Sequence, residues 1–238
     1  MDYEELNYQS VATNEELTAT AFPALMRKVY LWMTMALVIT GLTAYIVATS
    51  ETLPNLIFAN PTVMWILIGV ELAIVVGISA AINKLSLTAA TLLFVLYSVV
   101  NGAVLSSIFF VFSLKSIYTV FFITAGTFGA MSLYGYTTKK DLTSWGKILM
   151  MALIGLIIAT IANIFMKSQQ LDIIASYVGV LIFVGLTAYD TQKIKMMCQQ
   201  ATDAGETMQK YALLGALSLY LDFINLFIYL LRIFGRRD

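Results

Sequence analysis

The sequence predicts an all-α integral membrane protein, a bundle of seven transmembrane helices, and three observations carry that prediction. Of the 238 residues, 60% are hydrophobic and only 12% are charged, too little polar surface to cover a soluble globule of this length. The apolar residues fall into runs of about 20, the length that crosses roughly 30 Å of hydrocarbon. Lysines and arginines gather between alternate runs, the pattern expected when successive loops lie on opposite sides of a bilayer. Mean hydropathy is +0.84.

In chain order, the first 25 or so residues are polar and acidic, with Asp2, Glu4, Glu5, Glu15 and Glu16. They have neither the basic start nor the short apolar run of a secretory signal, so residues 1–25 are expected to be a mobile cytosolic tail and 26–238 a single transmembrane domain. Arg27 and Lys28 precede a first span over 29–49. The next loop, SETLPNLIFANP, has prolines and no base, which marks it as translocated. A second span is predicted over 62–82, a third over 87–111 and a fourth over 117–136, ending in the basic turn TTKKDLTSWGK. The fifth covers 148–166. The sixth and seventh lie within 173–231, joined by a polar hairpin whose least helical point is Gly205. Two pairs of small residues, Gly102 with Ser106 and Gly126 with Ala130, recur at helical spacing and are expected to let neighbouring helices approach closely.

Orientation follows from the bases. Arg27, Lys28, Lys84, Lys139, Lys140, Lys147, Lys193, Lys195 and Lys210 fall on one side, against Lys115 and Lys167 on the other. The positive-inside rule makes the amino terminus and the 193–210 hairpin cytosolic. Seven full spans put Arg232, Arg236 and Arg237 on the opposite side; a re-entrant last segment would return them. Seven spans is the expectation, because 213–231 is long and apolar except for Asp222 and Asn225.

Composition also bounds the chemistry. Net charge is zero and no basic block stands out, so no nucleic-acid partner is implied. Cys198 is the single cysteine and reads as an ordinary reduced thiol, with no internal disulfide. There is no histidine, so proton chemistry near neutral pH falls to carboxylates.

Two of those carboxylates sit where membrane helices rarely carry one. Asp190 lies in the sixth span and Asp222 in the seventh, at similar distances along the chain from Gly205. If both helices ran through the hairpin, each would lie about 24 Å from the turn, at one depth and facing the other. An aspartate near the middle of a membrane helix costs at least about 2.5 kcal/mol on insertion scales, so each needs a local explanation. Ser218, Asp222 and Asn225 share one helix face, which is expected to point into the bundle. Thr187 precedes Asp190 by nearly a turn. Two carboxylates held together do not readily both ionise, so the pair is expected to share a proton. The plainer alternatives are a solvated Asp190 paired with Lys193, and a protonated Asp222 hydrogen-bonded to Asn225 or to another helix. Glu71, near the centre of the second span, reads equally as a third titrating group or as a neutral packing group. Asn101 and Asn163 read as ties between helices.

At these residues the chain resembles the Bax inhibitor-1, or transmembrane Bax inhibitor motif, family, and in particular its bacterial inner-membrane members. The resemblance runs from about Met26 onward and rests on GLTAYDTQKIK at 185–195, GALSLYLDFINLFIYLLRIFG at 215–235 and YGYTTKKDLTSWGKILMMALIGLIIA at 134–159. It implies a seven-helix bundle with the carboxy-terminal helix central. It also implies a pH-sensitive calcium leak, with no cofactor, controlled by two aspartates that match Asp190 and Asp222. Those two carboxylates with Asn225, backbone carbonyls and water would suit a transient calcium ion. Some relatives have an arginine on the second helix that latches onto the pair. The second span here has none, and Lys84 at its cytosolic end is the nearest base.

Two further functions belong to other classes. Paired aspartates, one of them following Tyr189, are similar to the site of intramembrane aspartyl proteases. Those enzymes have glycines before the second aspartate where this chain has Leu219, Tyr220 and Leu221, and a proline near the site where this chain has only Pro23, Pro54 and Pro61. An enzyme is therefore not expected. The bundle could instead act by binding a membrane protease or a stress-response partner, with the acidic tail as the contact.

Overall fold

The computed structural model describes residues 3–201 and 203–236, with side chains from Ala21 onward. Every predicted span is helical: α1 (Tyr3–Thr49), α3 (Pro61–Ala81), α4 (Leu87–Leu105), α6 (Leu114–Thr137), α7 (Thr143–Met166), α8 (Gln169–Gln199) and α9 (Glu206–Phe234). Two short helices, α2 (Leu53–Phe58) and α5 (Ile108–Val111), complete the order. Seven helices are long and apolar enough to cross a membrane, so the protein is an all-α integral membrane bundle. The expected tail over 1–25 meets the description only in part, because α1 begins at Tyr3 and the side chains before Ala21 lie outside the described residues.

Helix ends inside or near a bilayer need partners for their free backbone groups. Ser86, Ser113 and Ser168 supply them, each hydroxyl accepting from the backbone N–H three residues on, at the starts of α4, α6 and α8. Asn60 caps α3, whose first residue is Pro61, its side-chain Oδ1 accepting from the Thr62 N–H two residues on. The third span departs from a single rod. It stops at Leu105 and resumes as α5, and between them the Ser106 and Ser107 hydroxyls turn back to the carbonyls of Ala103 and Val104. The loop expected to be translocated folds partly into α2.

α9 is central. It packs on α8, α1, α6 and α4, and two thirds of its apolar stretch is buried, more than in any other span. α7 packs on α8, and α3 on α4. Close approach occurs at Gly102, where a Cβ would stand 2.6 Å from the Thr40 carbonyl oxygen of α1. Ser106 is buried beside it, as its spacing predicts. Gly126 and Ala130 do not follow the prediction: both are exposed on the outside of α6, and nothing lies within 4 Å of a Cβ at Gly126.

One end of the bundle gathers the middle of α1 around Lys28, the α3–α4 turn, the α6–α7 loop and the α8–α9 hairpin. Lys28 donates to Gln209 at 2.7 Å, Lys210 to the Leu85 carbonyl at 3.1 Å and Lys195 to the Tyr136 carbonyl at 2.7 Å. This basic end holds the nine lysines and arginines grouped by the sequence pattern. At the far end the Arg236 backbone exchanges hydrogen bonds with Ser113 and Ser116. α9 therefore runs the full height of the bundle, and the re-entrant alternative for the last segment does not hold. Arg237 lies outside the described residues.

Candidate functional site

The α8–α9 contact is the most extensive in the bundle, and two glycines set its register. A Cβ on Gly215 would stand 3.0 Å from Ile194, and one on Gly179 2.6 Å from the Tyr229 ring. In that antiparallel register Asp190 is level with Ser218 and Leu219, and Asp222 with Leu186 and Thr187. The aspartates are thus staggered, Asp222 lying about 5 Å further from the basic end, rather than at one depth. The reason is local: α8 stops at Gln199, so the non-helical residues up to Gly205 all fall on its side of the hairpin.

Asp222 is 4% exposed, and its Oδ2 is buried with no hydrogen-bond partner among the described residues. Asp190 is partly buried and lies within direct Coulombic reach of Asp222. Lys193 lies beyond salt-bridge distance of Asp190 yet near enough to act on it electrostatically, and its ammonium sits over the Tyr189 ring, 6.0 Å from the centroid. Asn225 donates to the Leu221 carbonyl of its own helix at 2.8 Å, not to Asp222.

The supporting groups sort in the same way. Thr187 is fully buried at the level of Asp222, with its hydroxyl donated to the Phe183 carbonyl at 2.7 Å. Ser218 is partly buried at the level of Asp190. Tyr189 points away from the pair, its ring against Gly146 of α7. Among the described residues no three of Cys, Asp and Glu come together as ligands for a metal ion.

Glu71 belongs to a second polar cluster. Asn101 donates to Glu71 Oε1 at 3.0 Å, and the Tyr220 hydroxyl donates to Asn101 Oδ1 at 3.1 Å. That hydroxyl also lies 2.6 Å from Thr40 Oγ1, which donates to the Ser98 carbonyl at 3.0 Å. Since the Thr40 proton goes to Ser98, the Tyr220 proton is shared between Thr40 and Asn101. The Tyr220 ring is clamped edge-on by Phe94 and Tyr97. This chain of bonds ties α1, α3, α4 and α9 together. Tyr220 lies about 160° around α9 from Asp222, so Glu71 does not join the aspartate face. Sequence reasoning missed Tyr220. The available signal was that Glu71 and Asn101, two polar groups in apolar spans, each required a partner.

Asn163 ties α7 to α8 at the far end, donating to the Ser168 carbonyl at 3.1 Å and to Asp172 at 2.7 Å. The intervening Lys167 adopts a left-handed conformation, φ 51°, that closes the turn. Cys198 is fully buried and free.

Comparison with known proteins agrees with this architecture. A family model described as "Inhibitor of apoptosis-promoting Bax1" matches residues 23–238. The "Inner membrane protein YbhL" of Escherichia coli K12 is 52% identical over 213 residues, 89% of this chain and 91% of that protein. An uncharacterized protein of Borreliella burgdorferi is 45% identical over 212 residues, 89% of this chain and 91% of its own. One of Rickettsia prowazekii is 42% identical over 215 residues, 89% of each chain. With the match running through every transmembrane helix, the chain belongs to the Bax inhibitor-1 family.

Proposed function

We propose that the protein is a pH-sensitive cation leak of the bacterial inner membrane, with calcium as the ion carried and Asp190 and Asp222 as the proton-sensitive element. The observation that carries this reading is the buried, unpartnered Oδ2 of Asp222 beside a second carboxyl. A buried oxygen of this kind is completed by a proton, a cation or a water. With a proton on the pair, α8 and α9 pack without repulsion. Without it, two negative charges a turn apart favour either separation of the helices or entry of a hard cation. Two carboxylates and a few neutral oxygens make a weak site, and permeation requires that weakness.

The far end of the bundle also carries an opening, separate from the pair. A cavity of about 680 Å³ lies there between α5, α8 and α9, with Asp172 and Arg232 in its wall. Arg232 is ten residues along α9 from Asp222, about 15 Å. Location in an inner membrane follows the printed name of the Escherichia coli relative, and a cytosolic amino terminus follows the distribution of bases. No catalytic step is assigned to the pair.

The test is calcium flux into indicator-loaded proteoliposomes across about pH 5 to 8, comparing the native chain with Asp190→Asn and Asp222→Asn. The expected result is a pH-dependent flux that either substitution abolishes or renders indifferent to pH. Correctly folded protein without flux, or variants that behave as the native chain does, would refute the reading.

A further inference from the structure

α1 and α6 both pack on α8 and α9, yet they leave an open groove between them of about 550 Å³. Its walls include Met33 and Leu37 of α1 and Phe121 and Phe128 of α6, and its floor includes Phe223 of α9. Among the described residues the side-chain ties between the two helices lie near the basic end, where the Tyr30 and Ser132 hydroxyls are 2.6 Å apart and Phe22 stacks on Tyr136. From Tyr136 to Phe121 the groove extends about 22 Å along α6, against about 15 Å for the hydrocarbon of one leaflet. It opens sideways, among exposed Leu133 and Phe121, into what would be lipid.

Just beyond Tyr136 the chemistry reverses. A polar cleft of about 210 Å³ is lined by Lys139, Lys140 and Lys195 with Gln192 and Asp141. The Asp141 carboxyl offsets one of the three positive charges and is held locally, its Oδ1 accepting from the Thr143 N–H at 2.8 Å. Gln192 pins the cleft by accepting from the Leu142 N–H and donating to the Lys140 carbonyl, both at 2.8 Å. Lys195 spans the boundary, with its ammonium 5.2 Å above the Tyr136 ring. Arg27 is exposed on α1 and falls on the same side of the helix as Thr34, which lines the groove. Exposed Tyr134, Tyr136 and Trp145 form an aromatic belt at this level, as residues do at the headgroup boundary.

We propose that groove and cleft together form a binding site for one anionic diacyl phospholipid, with an acyl chain along α1 and α6 and the phosphate among Lys139, Lys140 and Lys195. The charge order argues for this occupant over a protein helix: an apolar slot long enough to cover one leaflet ends in a net positive cleft at the interfacial level. Basic pockets of this kind between membrane helices suit anionic headgroups.

Two variants test it. Lys139→Gln, Lys140→Gln and Lys195→Gln together remove the charge from exposed or partly exposed positions. Gly129→Phe plugs the groove, because Gly129 lines it and nothing lies within 4 Å of a Cβ there. Full-length protein is reconstituted in vesicles of equal phosphatidylglycerol and phosphatidylcholine, extracted, and the retained lipid read by native mass spectrometry, with circular dichroism to verify folding. The native chain is expected to retain one phosphatidylglycerol in preference to phosphatidylcholine. The triple variant is expected to lower that preference by on the order of a hundredfold, at about fivefold per lysine. Gly129→Phe is expected to lose retained lipid of either kind. Equal retention of both lipids by the native chain would overturn the proposal. So would undiminished phosphatidylglycerol on folded Gly129→Phe, or a change on plugging that appears only as altered self-association, which would make the groove a contact between copies.

Discussion

Replacing Asp222 with alanine is expected to make the protein more stable and its flux insensitive to pH. The carboxyl is 4% exposed with one oxygen unpartnered, and relieving such a group is worth about 1–3 kcal/mol. The void left by three heavy atoms, about 25 Å³, costs about 0.6 kcal/mol at roughly 24 cal/mol per Å³. The better helix propensity of alanine returns about the same amount. The net expectation is a gain of about 1–3 kcal/mol. It is measured by titrating folded protein with denaturing detergent in mixed micelles and following helicity, with calcium flux recorded on the same preparations. A loss of stability greater than about 1 kcal/mol would refute the reasoning, because it would mean that Oδ2 has a firm partner in the native membrane.

Two other outcomes test the packing and the loop electrostatics. Gly102→Ala forces a methyl against the Thr40 carbonyl and is expected to cost about 1–3 kcal/mol by the same titration, whereas Gly126→Ala on the outer face is expected to stay within about 0.5 kcal/mol; equal effects would refute the assigned faces. Hydrogen bonds from Thr143 hold the Asp141 carboxyl below its usual 3.8, so its stabilising contribution is complete above that value and is lost as pH falls through the lowered pKa. Melting curves of native protein and Asp141→Ala should therefore differ by a constant amount above about pH 5 and converge in stronger acid; a difference that ignores pH would refute the assignment.

Much of the bundle was legible in the chain because length and hydropathy are local properties. All seven spans were readable, and Asp222 declared its depth through the apolar residues on either side. What failed depended on geometry between elements. The aspartates were expected at equal depth because residues were counted through the hairpin as if all were helical, and α8 ends at Gln199. Gly126 and Ala130 have the spacing of a packing face, but a lipid-exposed face tolerates small residues equally well, and spacing does not say which neighbour is present. Glu71 and Asn101 were each visible as intramembrane polar groups. Their union through Tyr220 was not, because it depends on α1, α3, α4 and α9 meeting at one level. A tyrosine among leucines carries no mark of its buried hydroxyl.

The clamp on Tyr220 makes α9 the stator of this bundle. Turning the helix about its axis would tear the tyrosine hydroxyl from Thr40 and Asn101 and drive its ring out from between Phe94 and Tyr97. Asp222, on nearly the opposite side of the same rod, is therefore a carboxyl held in a fixed frame, whether or not it carries a proton. Any stroke that opens the space around it falls to the surrounding helices.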